Sequence, residues 1–197
     1  MKRRIAFFDF DGTITTKDSL LAFIFFRYGK WRTIVGLLLI SPFYALHLLK
    51  LIPVQKAKEQ VLKQFFKNED VNQFSEAANE FVKKALPSLI RPKAMREIQL
   101  LQKNGAEVVI ISASPDNWLQ PWAKQFDAGL ICTKLESKNG KLTGRIEGNN
   151  CRGKEKVRRI LAAYDLSQYD EVYAYGDTKG DKPMLGLATI AFCKPFR

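Results

Sequence analysis

Cysteine is scarce. The 197 residues hold three, Cys132, Cys151 and Cys193, too few and too far apart for a disulfide framework or a paired-cysteine metal knuckle. They read as small, half-buried thiols in a reducing compartment. No secretory leader is expected: after Met1-Lys2-Arg3-Arg4 the apolar stretch ends at Phe8, where Asp9 interrupts it, short of the roughly 7–15 apolar residues a leader's core needs. The expected address is cytoplasmic. Histidine is nearly absent; the one copy, His47, lies away from every motif and is expected to pack or to sit at an interface. There is no internal repeat and no low-complexity tract. Acidic residues are outnumbered 20 to 32, a net charge of +12. That bias favours anionic partners such as phosphorylated metabolites, a membrane surface or nucleic acid. The basic residues are scattered, and no helix-turn-helix, zinc finger or RNP-type aromatic motif is visible, so nucleic acid is not expected.

What is present suits a globular chain: 46% hydrophobic and 26% charged residues, enough for one domain plus an insertion. Short apolar runs at residues 5–10, 107–111, 130–133, 172–175 and 189–192 read as buried strands. Helical patterns at 117–126, 155–164 and 181–187 separate most of them, and Asn139-Gly140 within residues 135–146 reads as a hairpin turn. Strand and helix alternating in this way predict an α/β fold, a doubly wound parallel sheet with helices on both faces.

Residues 15–90 break that rhythm. They hold no convincing strand and are too long for a simple crossover, so they read as an inserted α-helical cap, leaving 1–14 and 91–197 as the core. Val71, Phe74, Ala78, Phe81 and Val82 recur at helical spacing until Pro87 stops the run. Residues 33–49 carry no formal charge. One helix over them spans about 25 Å, short of the roughly 30 Å hydrocarbon core of a bilayer. Ser41-Pro42 near the middle predicts two short helices in a hairpin instead. Residues 1–60 carry 10 basic and 4 acidic side chains, half of the net charge. Residues 30–52, apolar with basic flanks, therefore suit peripheral contact with an anionic membrane, or else pack on the core or on a partner chain.

The chemistry gathers at strand ends. Asp9-Phe10-Asp11-Gly12-Thr13 closes the first strand, where ligands of open parallel sheets bind. Its two carboxylates repel unless a cation joins them or one is protonated. Gly176-Asp177-Thr178-Lys179-Gly180-Asp181 follows a later strand, and Asp177 and Asp181 share a face as the chain turns into a helix. Hard oxygen ligands at neighbouring strand ends suit Mg²⁺. Ser112 ends the Val108–Ile111 run; with the backbone N–H groups of Ala113 and Ser114, its hydroxyl can hold a phosphoryl oxygen. Lys154 and Lys156 open a helix, and either could balance the aspartates and bind phosphate.

In this order the motifs resemble the haloacid dehalogenase superfamily of phosphohydrolases along nearly the whole chain. The helical insertion after the first motif is similar to the cap of the phosphoserine-phosphatase-like subfamily. Ile111-Ser112-Ala113-Ser114-Pro115, Leu142-Thr143-Gly144 and Cys151-Arg152-Gly153-Lys154-Glu155-Lys156-Val157 resemble the branch that contains phosphatidylglycerophosphatase C. The resemblance implies Mg²⁺-dependent hydrolysis of a phosphomonoester through an aspartyl-phosphate. Asp9 is then the nucleophile and Asp11 the general acid–base. Thr13, Ser112, Ala113 and Lys156 or Lys154 bind the phosphate; Asp9, Asp11 (through its carbonyl), Asp177 and Asp181 serve the metal. The implied substrate is a lipid phosphate such as phosphatidylglycerol phosphate, the alternative a small soluble ester such as phosphoserine.

Overall fold

The computed structural model describes residues 2–197. Along the chain run β1 (Arg4–Asp9), then α1 (Ser19–Leu48), α2 (Val54–Phe66), α3 (Val71–Lys84) and α4 (Pro92–Lys103). They are followed by β2 (Ala106–Pro115), α5 (Asp116–Lys124), β3 (Gly129–Lys138), β4 (Lys141–Glu147) and α6 (Lys154–Ala163). The chain closes with β5 (Glu171–Gly176), α7 (Lys182–Leu185) and β6 (Ile190–Cys193). The strands form one sheet in the order β4-β3-β2-β1-β5-β6, parallel except for the β3–β4 hairpin.

Period-two alternation in the strands builds two separate cores. Ala6 and Phe8 of β1, with Val108 and Ile110 of β2, bury against the helices on one face. Ile5, Phe7, Val109 and Ile111 bury against α6 and α7 on the other. Both faces are therefore covered, as a parallel sheet requires. β1 pairs with β2 on one side and β5 on the other, so the crevice at its carboxyl end is where the strand order reverses.

In sequence, helices α1–α3 fall between β1 and α4. An isolated antiparallel bridge joins Thr15, before these helices, to Ile90, after them. Asp18 caps α1 by accepting from the Leu21 N–H at 2.9 Å, and Asp70 caps α3 through the Asn72 and Gln73 N–H groups. The expected hairpin within residues 33–49 is not formed. Helix α1 runs through Pro42, and its break falls at Gly29, whose φ of 73° only glycine adopts freely. The reason is local: proline cannot donate to the Leu38 carbonyl, but the Ser41 hydroxyl does so at 2.8 Å. The hairpin at Asn139-Gly140 is present, though residues 130–133 and the strand leading into that turn belong to one continuous β3.

Helix α2 packs closely on α1 and on the β3–β4 hairpin. A Cβ at Gly36 would come within 2.5 Å of the Phe65 ring, and one at Gly144 within 2.6 Å of Lys63 Cα. At the centre of the insertion Phe23 meets Phe66, Phe74 and Phe81 edge to face and stacks on Trp118 of α5.

Candidate active site

The carboxyl ends of β1, β2 and β5 and the first turn of α6 meet in one buried cluster. Lys156 on α6 is 2% exposed and donates to Asp9 Oδ1 at 2.5 Å, to Asp181 Oδ1 at 2.7 Å and to the Ile111 carbonyl at 2.9 Å. Thr13 donates to the other Asp9 oxygen at 3.1 Å. Asp181 is fixed by Thr178, whose N–H and hydroxyl donate to Oδ2 at 2.9 and 2.7 Å. One carboxylate oxygen from each of Asp9, Asp177 and Asp181 lies within 4.8 Å of the other two. Asp177 Oδ1 is buried with no hydrogen-bond partner among the described residues, while Oδ2 accepts from Arg197. Three converging hard oxygen donors, one of them unpaired, fit a divalent cation.

The charges explain the ionisation. Burial pushes the Asp9 carboxyl up to about 7 even though Lys156 pulls it back; Asp181 and Asp11 add repulsion. Burial and Asp181 also raise Asp177, against the pull of Arg197 and Lys156. Burial opposes charge at Asp181, but Lys156 and Thr178 outweigh it and hold that group below the usual range. Burial likewise works against charged Lys156, and Asp9 with Asp181 reverses the balance, so its pKa is raised.

Asp11 points elsewhere. Its Oδ1 accepts from the Ser19 N–H at 2.6 Å, and its Oδ2 accepts from the Ser114 hydroxyl at 2.6 Å and, more weakly, from Ser112 at 3.4 Å. Its carboxylate is thus aimed at the start of α1 and stands outside the three-aspartate cluster. Gly12 between them has φ of 84°, and a Cβ there would lie 2.5 Å from Asp177 Oδ2, so glycine is what lets this turn pass the cluster. Ser112 is fully buried, and its Oγ also accepts from the Ser114 N–H at 2.9 Å. Lys154 is exposed and, among the described residues, makes no hydrogen bond or ion pair with the aspartates; of the two lysine candidates, the structure brings Lys156 to the cluster.

Above the aspartates opens a cavity of about 710 Å³. Asp9, Asp11, Asp181 and Lys156 lie at its floor, while Leu20, Ile24, Leu37, Ile40, Ala57 and Val61 supply apolar wall. His47 also lines it, which corrects the expectation that it stands apart from the site; its Nδ1 lies 3.2 Å from the Ile52 carbonyl. Lys58 went unrecognised in the sequence. From α2 it reaches the cavity and donates to the Ala113 carbonyl at 2.6 Å. Burial lowers its pKa, while Asp18 and Asp11 oppose that shift. A signal existed: Lys58 stands at helical spacing from Val54, Val61 and Leu62, so it interrupts an apolar face.

This geometry agrees with the relationships of the chain. The haloacid dehalogenase-like hydrolase family matches residues 6–186. The chain belongs to that family. Protein CicA of Caulobacter vibrioides is 38% identical over 202 residues, spanning 96% of this chain and 85% of that protein. A "Probable phosphatase" of Mycobacterium tuberculosis is 30% identical over 192 residues, 93% of this chain and 66% of that one. The fold is shared with the unliganded probable phosphoserine phosphatase of Vibrio cholerae, at a TM-score of 0.71 and 16% identity, covering 98% of this chain and 56% of that one. The protein is a phosphatase of the haloacid dehalogenase-like hydrolases.

Proposed function

We propose that this phosphatase hydrolyses a lipid phosphomonoester, such as phosphatidylglycerol phosphate, through an aspartyl-phosphate on Asp9 with Mg²⁺ as cofactor. The observation that carries the reading is the cavity: a carboxylate and lysine floor for a phosphate, continued by an apolar wall from α1 and α2. A small polar ester leaves that wall unused. Residues 15–90 act as the cap that forms it.

In the first half-reaction an Asp9 carboxylate oxygen attacks phosphorus as the bond to the ester oxygen breaks. Lys156, already at Asp9, balances charge on the transferring oxygens, and the Ser112 hydroxyl and the Ala113 amide hold them. Asp11, lining the same cavity, gives a proton to the departing alkoxide. In the second half it takes a proton from water, which attacks phosphorus, releases inorganic phosphate and restores Asp9. Asp9 and Asp177, with the Asp11 carbonyl, would hold the cation, and Asp181 would support it. When bound, Mg²⁺ neutralises charge on the phosphoryl group and keeps the carboxylate nucleophile close to it.

The test is phosphate release by wild type and Asp9→Asn, with and without Mg²⁺. Phosphatidylglycerol phosphate in mixed micelles is compared with phosphoserine and other soluble monoesters. Strong preference for the lipid, lost in Asp9→Asn, is expected. Preference for a soluble ester overturns the lipid reading; retained turnover in Asp9→Asn removes Asp9 as nucleophile.

A further inference from the structure

The distal part of α1, residues 30–48, has two apolar faces on opposite sides. At about 100° per residue, Leu37, Ile40, Tyr44 and Leu48 fall together and line the cavity. Trp31, Val35, Leu38, Leu46 and Leu49 fall on the reverse side, all exposed, with Trp31 at 77% and Leu38 at 66%. A helix apolar all round normally sits in a protein core or a membrane. Here only 11% of the most apolar 18-residue window is buried in the protein.

The charges say what covers the outer face. No acidic residue occurs between Asp18 and Glu59. Lys30 and Arg32 stand at one end of the apolar stretch and Lys50 at the other, all exposed and none in an ion pair among the described residues. An apolar face with unpaired basic residues at both ends matches an anionic lipid leaflet, with acyl chains under the helix and headgroups around its ends.

We propose that residues 30–52 seat the protein flat on an anionic leaflet, the outer face of α1 embedded in it and the cavity on the helix's other side. The helix lies in the leaflet and does not cross it. A crossing helix would leave the chain on the far side, but α2 begins at Val54 and returns at once to the core. Gln55 donates to the Gly148 carbonyl at 3.1 Å and Lys58 to the Ala113 carbonyl. Docking stands on the outer face alone; direct entry of substrate from the leaflet rests on the lipid-phosphate reading.

The experiment is co-sedimentation of the full chain with phosphatidylcholine vesicles, with and without phosphatidylglycerol, while tryptophan emission is followed. Trp118 and Trp122 are already buried, so a blue shift reports Trp31. Binding to anionic vesicles, weakened by salt, is expected, with a blue shift that Trp31→Phe removes. Leu38→Glu with Leu39→Glu should weaken binding at least about tenfold while turnover of soluble p-nitrophenyl phosphate is kept. Should that double variant not fold, Arg32→Glu with Lys50→Glu poses the same question through charge. Absence of vesicle binding overturns the proposal, as does undiminished binding by the variants or a blue shift that survives Trp31→Phe. So does a wild-type dimer that binds no vesicles and dissociates in the glutamate variant, since a second copy then covers the face. A protein that binds vesicles yet hydrolyses only soluble esters upholds docking and refutes the lipid substrate.

Discussion

Lys58 Nζ, carried on α2, donates a 2.6 Å hydrogen bond to the Ala113 carbonyl at the end of β2. Helix α2 thereby places a cation in the cavity near Asp11 and Asp18. Lys58→Ala is expected to lower kcat/KM on the preferred ester by about 10- to 100-fold, the range of one lost hydrogen bond to a charged group. The rise in KM should exceed the fall in kcat, and Lys58→Arg should recover part of the loss. Steady-state kinetics of the three proteins decide it. An unchanged KM in the alanine variant would leave this contact a purely structural tie.

The two lysines that open α6 make opposite predictions. Lys156 is buried between Asp9 and Asp181, so Lys156→Met should cut kcat by about 10²- to 10³-fold, the size of one lost oxyanion-stabilising donor. Exposed Lys154→Met should stay within about twofold of wild type, because surface changes away from such features have small effects. The reverse pattern would move the phosphate-binding role to Lys154.

Glu155, between those lysines, gives a pH dependence. Hydrogen bonds from Arg158 and then Arg159, working against burial, hold its carboxyl at about 2, below the usual 4.5. Because the folded-state value is the lower one, the stabilisation is complete above about 4.5 and is lost as pH falls toward 2. Glu155→Gln should therefore be less stable than wild type at neutral pH, and the difference should shrink through that window. Urea midpoints at pH 7, 4 and 3 measure it. A difference that stays constant with pH would mean that the glutamate acts through packing and not charge.

The sequence made some features legible because they depend on near neighbours. Asp9 and Asp11 stand out as two carboxylates closing a buried strand, and Asn139-Gly140 marks a tight turn wherever its strands lie. The choice between Lys154 and Lys156 was illegible, since residues two apart at a helix start differ only in which one packs inward. Lys58 differs in sequence from a solvated lysine only by interrupting an apolar helix face; its place in the cavity depends on how α2 packs on the end of β2. Pro42 misled because its cost depends on whether another donor serves the Leu38 carbonyl, and Ser41 does. His47 lines the cavity because α1 continues as helix past Pro42 and carries it to the site.

Phe23 tests how firmly α1, α2 and α3 are held to the sheet and α5. Its ring is fully buried, with centroids 4.9 Å from Trp118, 5.2 Å from Phe74, 5.5 Å from Phe81 and 5.8 Å from Phe66. One side chain thus joins α1, α2 and α3 to α5. Phe23→Ala removes that volume among rigid rings that cannot easily collapse into the gap, so a loss of about 3–5 kcal/mol is expected in urea unfolding. Phe23→Leu keeps most of the volume and should cost under about 1.5 kcal/mol. Trp118 also donates to the Ser19 hydroxyl, which in turn contacts Ser114 beside Asp11. If the alanine variant lets Trp118 shift, kcat should fall along with stability, whereas the leucine variant should retain wild-type kcat. An alanine variant less than about 1 kcal/mol destabilised would mean that the neighbouring rings close the cavity and that α1 is held by its remaining contacts.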